Sequence, residues 1–445
     1  MNNTISGFSK LSKKAKIEWI CAHFLDNSTQ AIVEIESFYH SDDDLQRVMD
    51  GFSENTISNF YMPYSIAPNF VIDGKAYTVP MVIEESSVVA AASAAAKYWM
   101  ERGGFHTQII STQKIGQVHF SWTGGIKILR EHLNDLKKVL LEESQHLTHS
   151  MEQRGGGVRE IELLDFSDLE ANYYQLRISF ETCDSMGANF INTVLEQFGV
   201  TLKHFIETSA FFQAEKDELT IIMAILSNYT PECLVRAWVE CPIETLGTYN
   251  GMDADTLSRK FAKAIRIAEI DPYRATTHNK GIFNGIDAIV LATANDFRAI
   301  EACGHTYAAR SGQYSSLSHC ALENGKFRFW LDIPLAVGTV GGLTKLHPLA
   351  KKTLEILGNP SAKELMSIIA TVGLAQNFAA VRSLVTTGIQ KGHMKMHLQN
   401  ILNFIGATPE QNEAAIAHFS DKPISFSAVR AFLVLNTDKF FTHPL

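Results

Sequence analysis

An α+β fold of two or three domains is predicted by three features of this 445-residue sequence. A strand, TVPMVI, runs through Glu84-Glu85-Ser86-Ser87 into the alanine-rich stretch VVAAASAAAKYW. From about Gln108 to Thr220, strands (QVHFSW, IELLDF, YYQLRISFET, ELTIIMAIL) alternate with helical stretches (LREHLNDLKKVLLEE, ANFINTVLEQFG). Helical periodicity then returns through Asp253–Ala268, and Gly281–Val385 mixes helices with Gly-rich turns such as AVGTVGG.

Residues 12–50 read as short polar helices. The strand ending near Ile83 leads into a helix of small side chains, which packs close to its neighbours and belongs in the core. Four strands interleaved with two helices suggest a compact sandwich of ferredoxin-like type over the middle of the chain. Fold alone says little about function.

With 46% hydrophobic and 20% charged residues the chain has ample material for a large core. A net charge of -9 excludes a general nucleic-acid binder, because phosphate neutralisation needs an excess of clustered Lys and Arg. Cys21, Cys183, Cys233, Cys241, Cys303 and Cys320 are scattered without zinc-site spacing, as expected of reduced thiols in a cytoplasmic protein. No uninterrupted apolar run reaches the length of a membrane span, so no membrane anchoring is expected.

The zincin, Walker A, nucleophile-elbow and strand-borne G-x-G-x-x-G patterns are all missing from the sequence. Three Gly-rich pieces can bring backbone N–H groups to a phosphate: Gly155-Gly156-Gly157, Met186-Gly187-Ala188-Asn189, and Gly338 through Gly342. Each by itself is an ordinary turn. Read in isolation, Lys280 is a solvated loop lysine, Glu85 a carboxylate favoured by a helix dipole, Asp296 an N-cap, and His393 an exposed or capping histidine. His393 and His397 are four apart but no third ligand follows, so no metal is expected.

Seven blocks change the weight of these residues: ENTISNFYMPYSIAPNF (54–70), VPMVIEESSVVAAAS (79–93), RGGGVREIE (154–162), DSMGANFINT (184–193), DPYRATTHNKGIFNGIDAIVLATANDFRAIEA (271–302), LAVGTVGGLTKLHPLA (335–350) and GLAQNFAAVRSLVTTGIQKGHMKMH (373–397). In order and spacing they resemble the class II 3-hydroxy-3-methylglutaryl-CoA (HMG-CoA) reductases. Ser86, Ser185 and Ala294 stand where that family often has Pro, Ala and Gly.

The resemblance implies a four-electron interconversion of HMG-CoA and mevalonate with two NAD(P)H. Its chemistry needs an oxyanion stabiliser, for which a fixed cation in a water-poor site serves, and two proton donors. Lys280 then stabilises the oxyanion. Glu85, chosen over Glu84 because it precedes S-S-V-V, exchanges a proton with the carbonyl oxygen, and its apolar flanks are expected to tune it as an acid. Asp296 lies between the two, and His393 protonates the departing thiolate.

By the same resemblance Arg274 meets the HMG carboxylate, for which its planar fork is suited, with Ser87, Asn284 and Gln376 around the polar groups. Asp184, Met186, Gly187 and Asn189 correspond to a nicotinamide and pyrophosphate segment of non-Rossmann type. NADPH is expected over NADH. NAD-preferring members carry an Asp before the Gly triplet, where this sequence presents Thr148 flanked by His146 and His149, with Arg154 beyond.

The expected organisation is a large discontinuous domain (1–110 and 222–386) around a buried central helix, an inserted NAD(P) domain (111–221), and a helical flap (387–445) bearing His393. At least a homodimer with interfacial active sites is implied. The rival readings are another acyl-CoA enzyme, which needs an activated Cys or Ser not seen in any motif here, and an inactive CoA-binding relative, which should have lost a reacting group.

Overall fold

The computed structural model describes residues 3–212, 218–386, 388, 398–420 and 422–435. Three short helices, α1 (Lys13–Phe24), α2 (Ser28–Glu36) and α3 (Asp43–Asp50), open the chain, each started by a capping side chain from Ser12, Asn27 or Asp42. Strands β1 (Tyr64–Ile72) and β2 (Lys75–Val82) pair as an antiparallel hairpin. Its Asp73-Gly74 turn holds φ at 49° and 81°, the left-handed pair that Asp-Gly tolerates best. The alanine-rich helix α4 (Val88–Met100) follows and buries Val88, Ala92, Ala95, Ala96 and Trp99 before β3 (His106–Ile109).

The middle of the chain forms β4 (Lys114–Trp122), α5 (Ile126–Glu131), α6 (Leu133–Glu152), β5 (Gly157–Asp165), β6 (Tyr173–Glu181), α7 (Ala188–Thr208) and β7 (Leu219–Ser227). The sheet order β5-β6-β4-β7, antiparallel throughout, is the ferredoxin-like arrangement. Helices α6 and α7 cover the sheet with a core that includes Phe120, Trp122, Leu176, Phe180 and Phe198. A boundary at residue 221 falls inside β7, because the hydrogen-bonded pairing with β4 continues as far as Ser227.

The remaining elements are β8 (Leu234–Pro242), α8 (Ala254–Ile270), α9 (Pro272–Ala292), α10 (Phe297–Ala308), β9 (Ser318–Glu323), β10 (Lys326–Pro334), α11 (Leu343–Leu346), α12 (Pro348–Ile356) and α13 (Ala362–Val385). The second sheet runs β3-β8-β10-β9. Strands β3 and β8 are neighbours there although the whole ferredoxin-like unit lies between them in sequence. Both ends of that unit therefore leave side by side, clasped where Leu234 N–H donates to the Ser111 carbonyl at 3.0 Å.

The axis of this larger unit is α13, with α4, α8, α9 and the second sheet packed around it. Residues Leu365 and Met366 and every position from Ile368 to Phe378 are buried, so all sides of the helix face protein. Its length and hydropathy would suit a membrane crossing, but 72% of that apolar window is buried inside the protein, which accounts for the composition. Helices α9 and α13 approach closely at two glycines. A Cβ on Gly285 would lie 2.8 Å from the Val372 carbonyl oxygen, and one on Gly373 would lie 2.8 Å from Ile286 Cγ1. Beyond α13, residues 398–405 and helices Pro409–His418 and Phe426–Leu435 gather around Leu402, Ala415, Phe419 and Val429.

Candidate active site

Helix α9 starts cleanly, with Asp271 as N-cap and Pro272 in the first turn, where its missing N–H costs nothing. One stripe of the helix (Ala275, Ile282, Phe283, Ile286, Ile289) enters the core. The other stripe, Arg274, Thr277, Lys280, Gly281 and Asn284, recurs at three- and four-residue intervals and lines a pocket of about 330 Å³. Glu85, Ser87, Gln376 and Asn377 complete much of its wall.

Lys280 is thus a helical residue, not a loop lysine, and the helix aims it at one partner. Its Nζ lies 2.5 Å from Glu85 Oε2. Asn284, one turn on, donates to the same oxygen at 3.4 Å. Glu85 does not cap α4. The residue at the N-cap position is Ser87, in the left-handed conformation (φ 79°) with no side-chain cap bond, so the chain turns sharply and Glu85 points to α9. The apolar setting expected from its flanks gives way to an ion pair with Lys280.

Arg274 is half-buried, and desolvation pushes its pKa below the ordinary value. No carboxylate pairs with it among the described residues. Gln376 is also largely buried, and its Oε1 has no hydrogen-bond partner among them. A cation and an acceptor lacking protein partners therefore line the pocket beside the Lys280–Glu85 pair.

Asp296 lies elsewhere. It caps α10, accepting from the N–H groups of Arg298 and Ala299 at 3.0 and 3.2 Å, and pairs with the Arg298 guanidinium. From Lys280 to the end of α9 at Ala292 the helix rises about 18 Å, so a single chain holds Asp296 far from Lys280 and Glu85.

The Asp296 end is where two of the three Gly-rich pieces meet, the third lying against the end of β6. Asn295 exchanges two hydrogen bonds with the Gly338 backbone, at 2.9 and 3.1 Å. A Cβ on Gly338 would fall 2.5 Å from the Met186 nitrogen, and one on Gly156 would fall 2.6 Å from the Glu181 carbonyl oxygen. Gly187 (φ 92°) begins the 21-residue α7 with no side-chain cap, so the first N–H groups of the helix, at Ala188 and Asn189, lack that partner. The Asp184 carboxylate is engaged by Ala362 N–H at the start of α13, and Met186 lies against Ala299, Ile300 and Cys303 in a small apolar recess.

Thr148 departs from its expected place. It is 1% exposed, with its hydroxyl directed to the Gln145 carbonyl of its own helix, because it falls on the stripe of α6 that includes Leu136, Leu140 and Ser144. His146, His149 and Arg154 are the exposed groups there. His393 and His397 lie outside the described residues.

Residues not singled out from the sequence also appear at the pocket. His278 and Asn377 line it and join the buried Ser318. The available signal was position: a histidine two residues before Lys280 falls on the apolar stripe of α9, where a polar side chain needs a partner.

A large unit with a cationic pocket and an inserted ferredoxin-like unit with an open helix N-terminus form the architecture of class II HMG-CoA reductases. The class II 3-hydroxy-3-methylglutaryl-CoA reductase from Streptococcus pneumoniae, solved bound to NADPH in open conformations, is 38% identical, covering 86% of this chain and 100% of that one at a TM-score of 0.69. Another structure of the Streptococcus pneumoniae reductase covers 97% of this chain and 100% of its own at a TM-score of 0.70, again 38% identical. The 3-hydroxy-3-methylglutaryl-coenzyme A reductase of Archaeoglobus fulgidus is 36% identical over 94% of this chain and 90% of its own length. A probable reductase of Borreliella burgdorferi is 31% identical over 90% of this chain and 89% of its own. The chain belongs to the hydroxymethylglutaryl-coenzyme A reductase family, whose sequence profile matches residues 17–398.

Proposed function

We propose that this protein interconverts HMG-CoA with mevalonate and coenzyme A, using two NADPH, in the cytoplasm. The observation that carries the reading is the Lys280–Glu85 contact of 2.5 Å in a pocket also lined by Arg274, which has no carboxylate partner among the described residues. NADPH bound at the α7 N-terminus supplies the hydrides. Lys280 stabilises negative charge on the carbonyl oxygen as it leaves the planar thioester, and Glu85, which takes up a proton from solvent before the hydride step, gives that proton to the oxygen. When the resulting hemithioacetal collapses, Glu85 takes the hydroxyl proton back, the C–S bond breaks, and His393 protonates the thiolate. In the second reduction Glu85 again gives its proton to the aldehyde oxygen.

Arg274 holds the HMG carboxylate by its planar fork, with Ser87, Asn284 and the unpartnered Gln376 oxygen around the remaining polar groups. The uncapped N–H groups at Ala188 and Asn189 suit a pyrophosphate, and the close Gly187 and Gly338 contacts leave no room for larger side chains in that loop. The preference for NADPH rests on the exposed Arg154 and His149, not on Thr148, and is supported by the NADPH-bound relative. Because Asp296 lies about 18 Å of helix away from Lys280, a second copy supplies Asp296 and the cofactor loops, making the homodimer the catalytic unit.

The test is HMG-CoA-dependent oxidation of NADPH by the purified protein, with mevalonate identified by mass. No oxidation would overturn the reading, and a kcat/KM for NADH about tenfold above that for NADPH would overturn the cofactor preference. In the same assay His393→Gln should lose far more activity on HMG-CoA than on supplied mevaldehyde, since only the thioester releases a thiolate.

A further inference from the structure

Behind the pocket, three fully buried polar side chains from three elements form a closed ring. His278 of α9, Ser318 of β9 and Asn377 of α13 are 2%, 0% and 1% exposed. His278 Nε2 lies 2.7 Å from Ser318 Oγ, Ser318 Oγ donates to Asn377 Oδ1 at 2.8 Å, and Asn377 Nδ2 faces His278 Nδ1 at 3.5 Å.

The direction of each bond follows from proton counting. The Ser318 hydroxyl has one proton, and it goes to the Asn377 oxygen. Neighbouring Ser316 gives its own hydroxyl proton to the Ser318 carbonyl at 2.7 Å, so it cannot supply Ser318 Oγ. With the Asn377 amide in this orientation, Ser318 Oγ accepts from an Nε2–H on His278 and Nδ1 accepts from the amide; with the amide turned over every bond reverses and the ring closes on the Nδ1–H tautomer. In both directions the ring closes only around a neutral imidazole.

Its place in the fold gives the ring a task. His278 sits between Arg274, one turn earlier, and Lys280, two residues later, while Asn377 adjoins Gln376. Close packing at Gly285 and Gly373 sets how near α9 comes to α13 through apolar and backbone contacts, and the ring adds directional polar bonds that are made in one register only. We propose that His278, Ser318 and Asn377 are positioning residues for the reductase reaction: the ring locks α9 to α13 in the register that aims Arg274 and Lys280 into the pocket, and supplies an uncharged imidazole between them.

The charged groups around His278 are consistent with that second role. Arg274 and Lys280 come from its own helix, and His319 from β9, which is itself paired with Glu269 of α8 at 2.8 Å. The α13 residues that line the pocket, from Gln376 to Leu384, are all uncharged, and the one carboxylate lining it, Glu85, is held by Lys280. Burial, with Arg274 and His319 adding to it, holds the His278 pKa down at about 3. An imidazolium here would be a third cation beside the two that the chemistry uses.

The test is Asn377→Asp, which replaces the amide donor by a carboxylate that accepts from Ser318 and draws a proton onto His278 Nδ1. Relative to wild type, its kcat for HMG-CoA should be lowest at acidic pH and recover by about tenfold as the imidazolium is titrated away in alkali, with KM for NADPH unchanged. A variant-to-wild-type ratio that stays flat across pH overturns the proposal. Should this variant not fold, Ser318→Ala opens the ring without adding charge and should lower kcat/KM for HMG-CoA by about tenfold while sparing KM for NADPH. Equal effects on both substrates would overturn the idea.

The kinetic arms rest on the reductase reading, so wild-type protein is also labelled with 15N-histidine, with His278→Gln used for assignment. A neutral imidazole pattern, of either tautomer, that persists to pH 5 supports the ring even if HMG-CoA is not the substrate. An imidazole that titrates between pH 7 and 5 overturns it while leaving the reductase reading intact.

Discussion

On the proposed reading the two ends of α9 hold different halves of the chemistry, and they are built by different means. At the Lys280 end the site is made of side chains: a lysine on a carboxylate, an arginine with no carboxylate partner among the described residues, and amides from α9 itself and the facing α13. At the Asp296 end it is made of backbone: the Gly338 turn pressed against the Met186-Gly187 turn, and the open N-terminus of α7. Side chains suit the end that must present charge and move protons. Backbone donors suit the end shaped to take a phosphate, since they are fixed and already partly charged. The helix between the ends holds the two groups of residues about 18 Å apart along its axis within one chain.

The largest expected effect breaks one half and asks whether another chain repairs it. Lys280→Ala should lower turnover by about 100-fold or more with little change in melting temperature, since Lys280 is substantially exposed and its ion pair contributes little to stability. Asp296→Asn should also be nearly inactive. Co-expressed chains carrying one substitution each should regain about a quarter of wild-type activity, because half the dimers are mixed and one of their two sites is intact. Mixed dimers that stay dead would mean that Asp296 does not serve the neighbouring Lys280.

A smaller effect concerns stability near the Lys280 end. The His278 pKa is depressed from 6.5 to about 3 in the folded state. Its contribution is complete above pH 6.5 and is lost as pH falls toward 3, because the unfolded chain takes up the proton first. By pH 5 the loss should reach about 2 kcal/mol. Denaturant titrations between pH 7 and 5 should therefore slope less for His278→Gln than for wild type, and parallel slopes would contradict the assignment.

The smallest effect is at the other end. Ala294 holds φ at 53°, a left-handed conformation in which its Cβ is strained, just before the Asn295–Gly338 clasp. Ala294→Gly should raise stability by about 0.5 kcal/mol, after the greater chain entropy of glycine is subtracted from the relieved strain. A drop in melting temperature would show that the left-handed turn is not strained.

Much of this architecture was legible beforehand, and the divisions follow physical lines. The ferredoxin-like unit could be read because strand and helix periods differ and its turns are local. The exit of β7 at Ser227 could not, because pairing with β4 is a long-range choice. The residues of the seven sequence blocks were singled out by residue type and spacing, which carry no information on their environments. Glu85 reads as a capping group until the left-handed Ser87 turns it toward α9, and Thr148 reads as a surface donor until the stripe of α6 carries it inward.

The sequence by itself determined the family, the kinds of reacting group, and the glycines that let backbones meet, since these depend on residue type and local spacing. Only the tertiary structure decided which groups share a site. That Lys280 meets Glu85, that Asp296 stands with the glycine turns instead, and that His278 closes a ring with Ser318 and Asn377 all depend on how α9 packs against α4, α10 and α13. Such packing is set by contacts between residues up to about two hundred positions apart, for which local periodicity carries no signal.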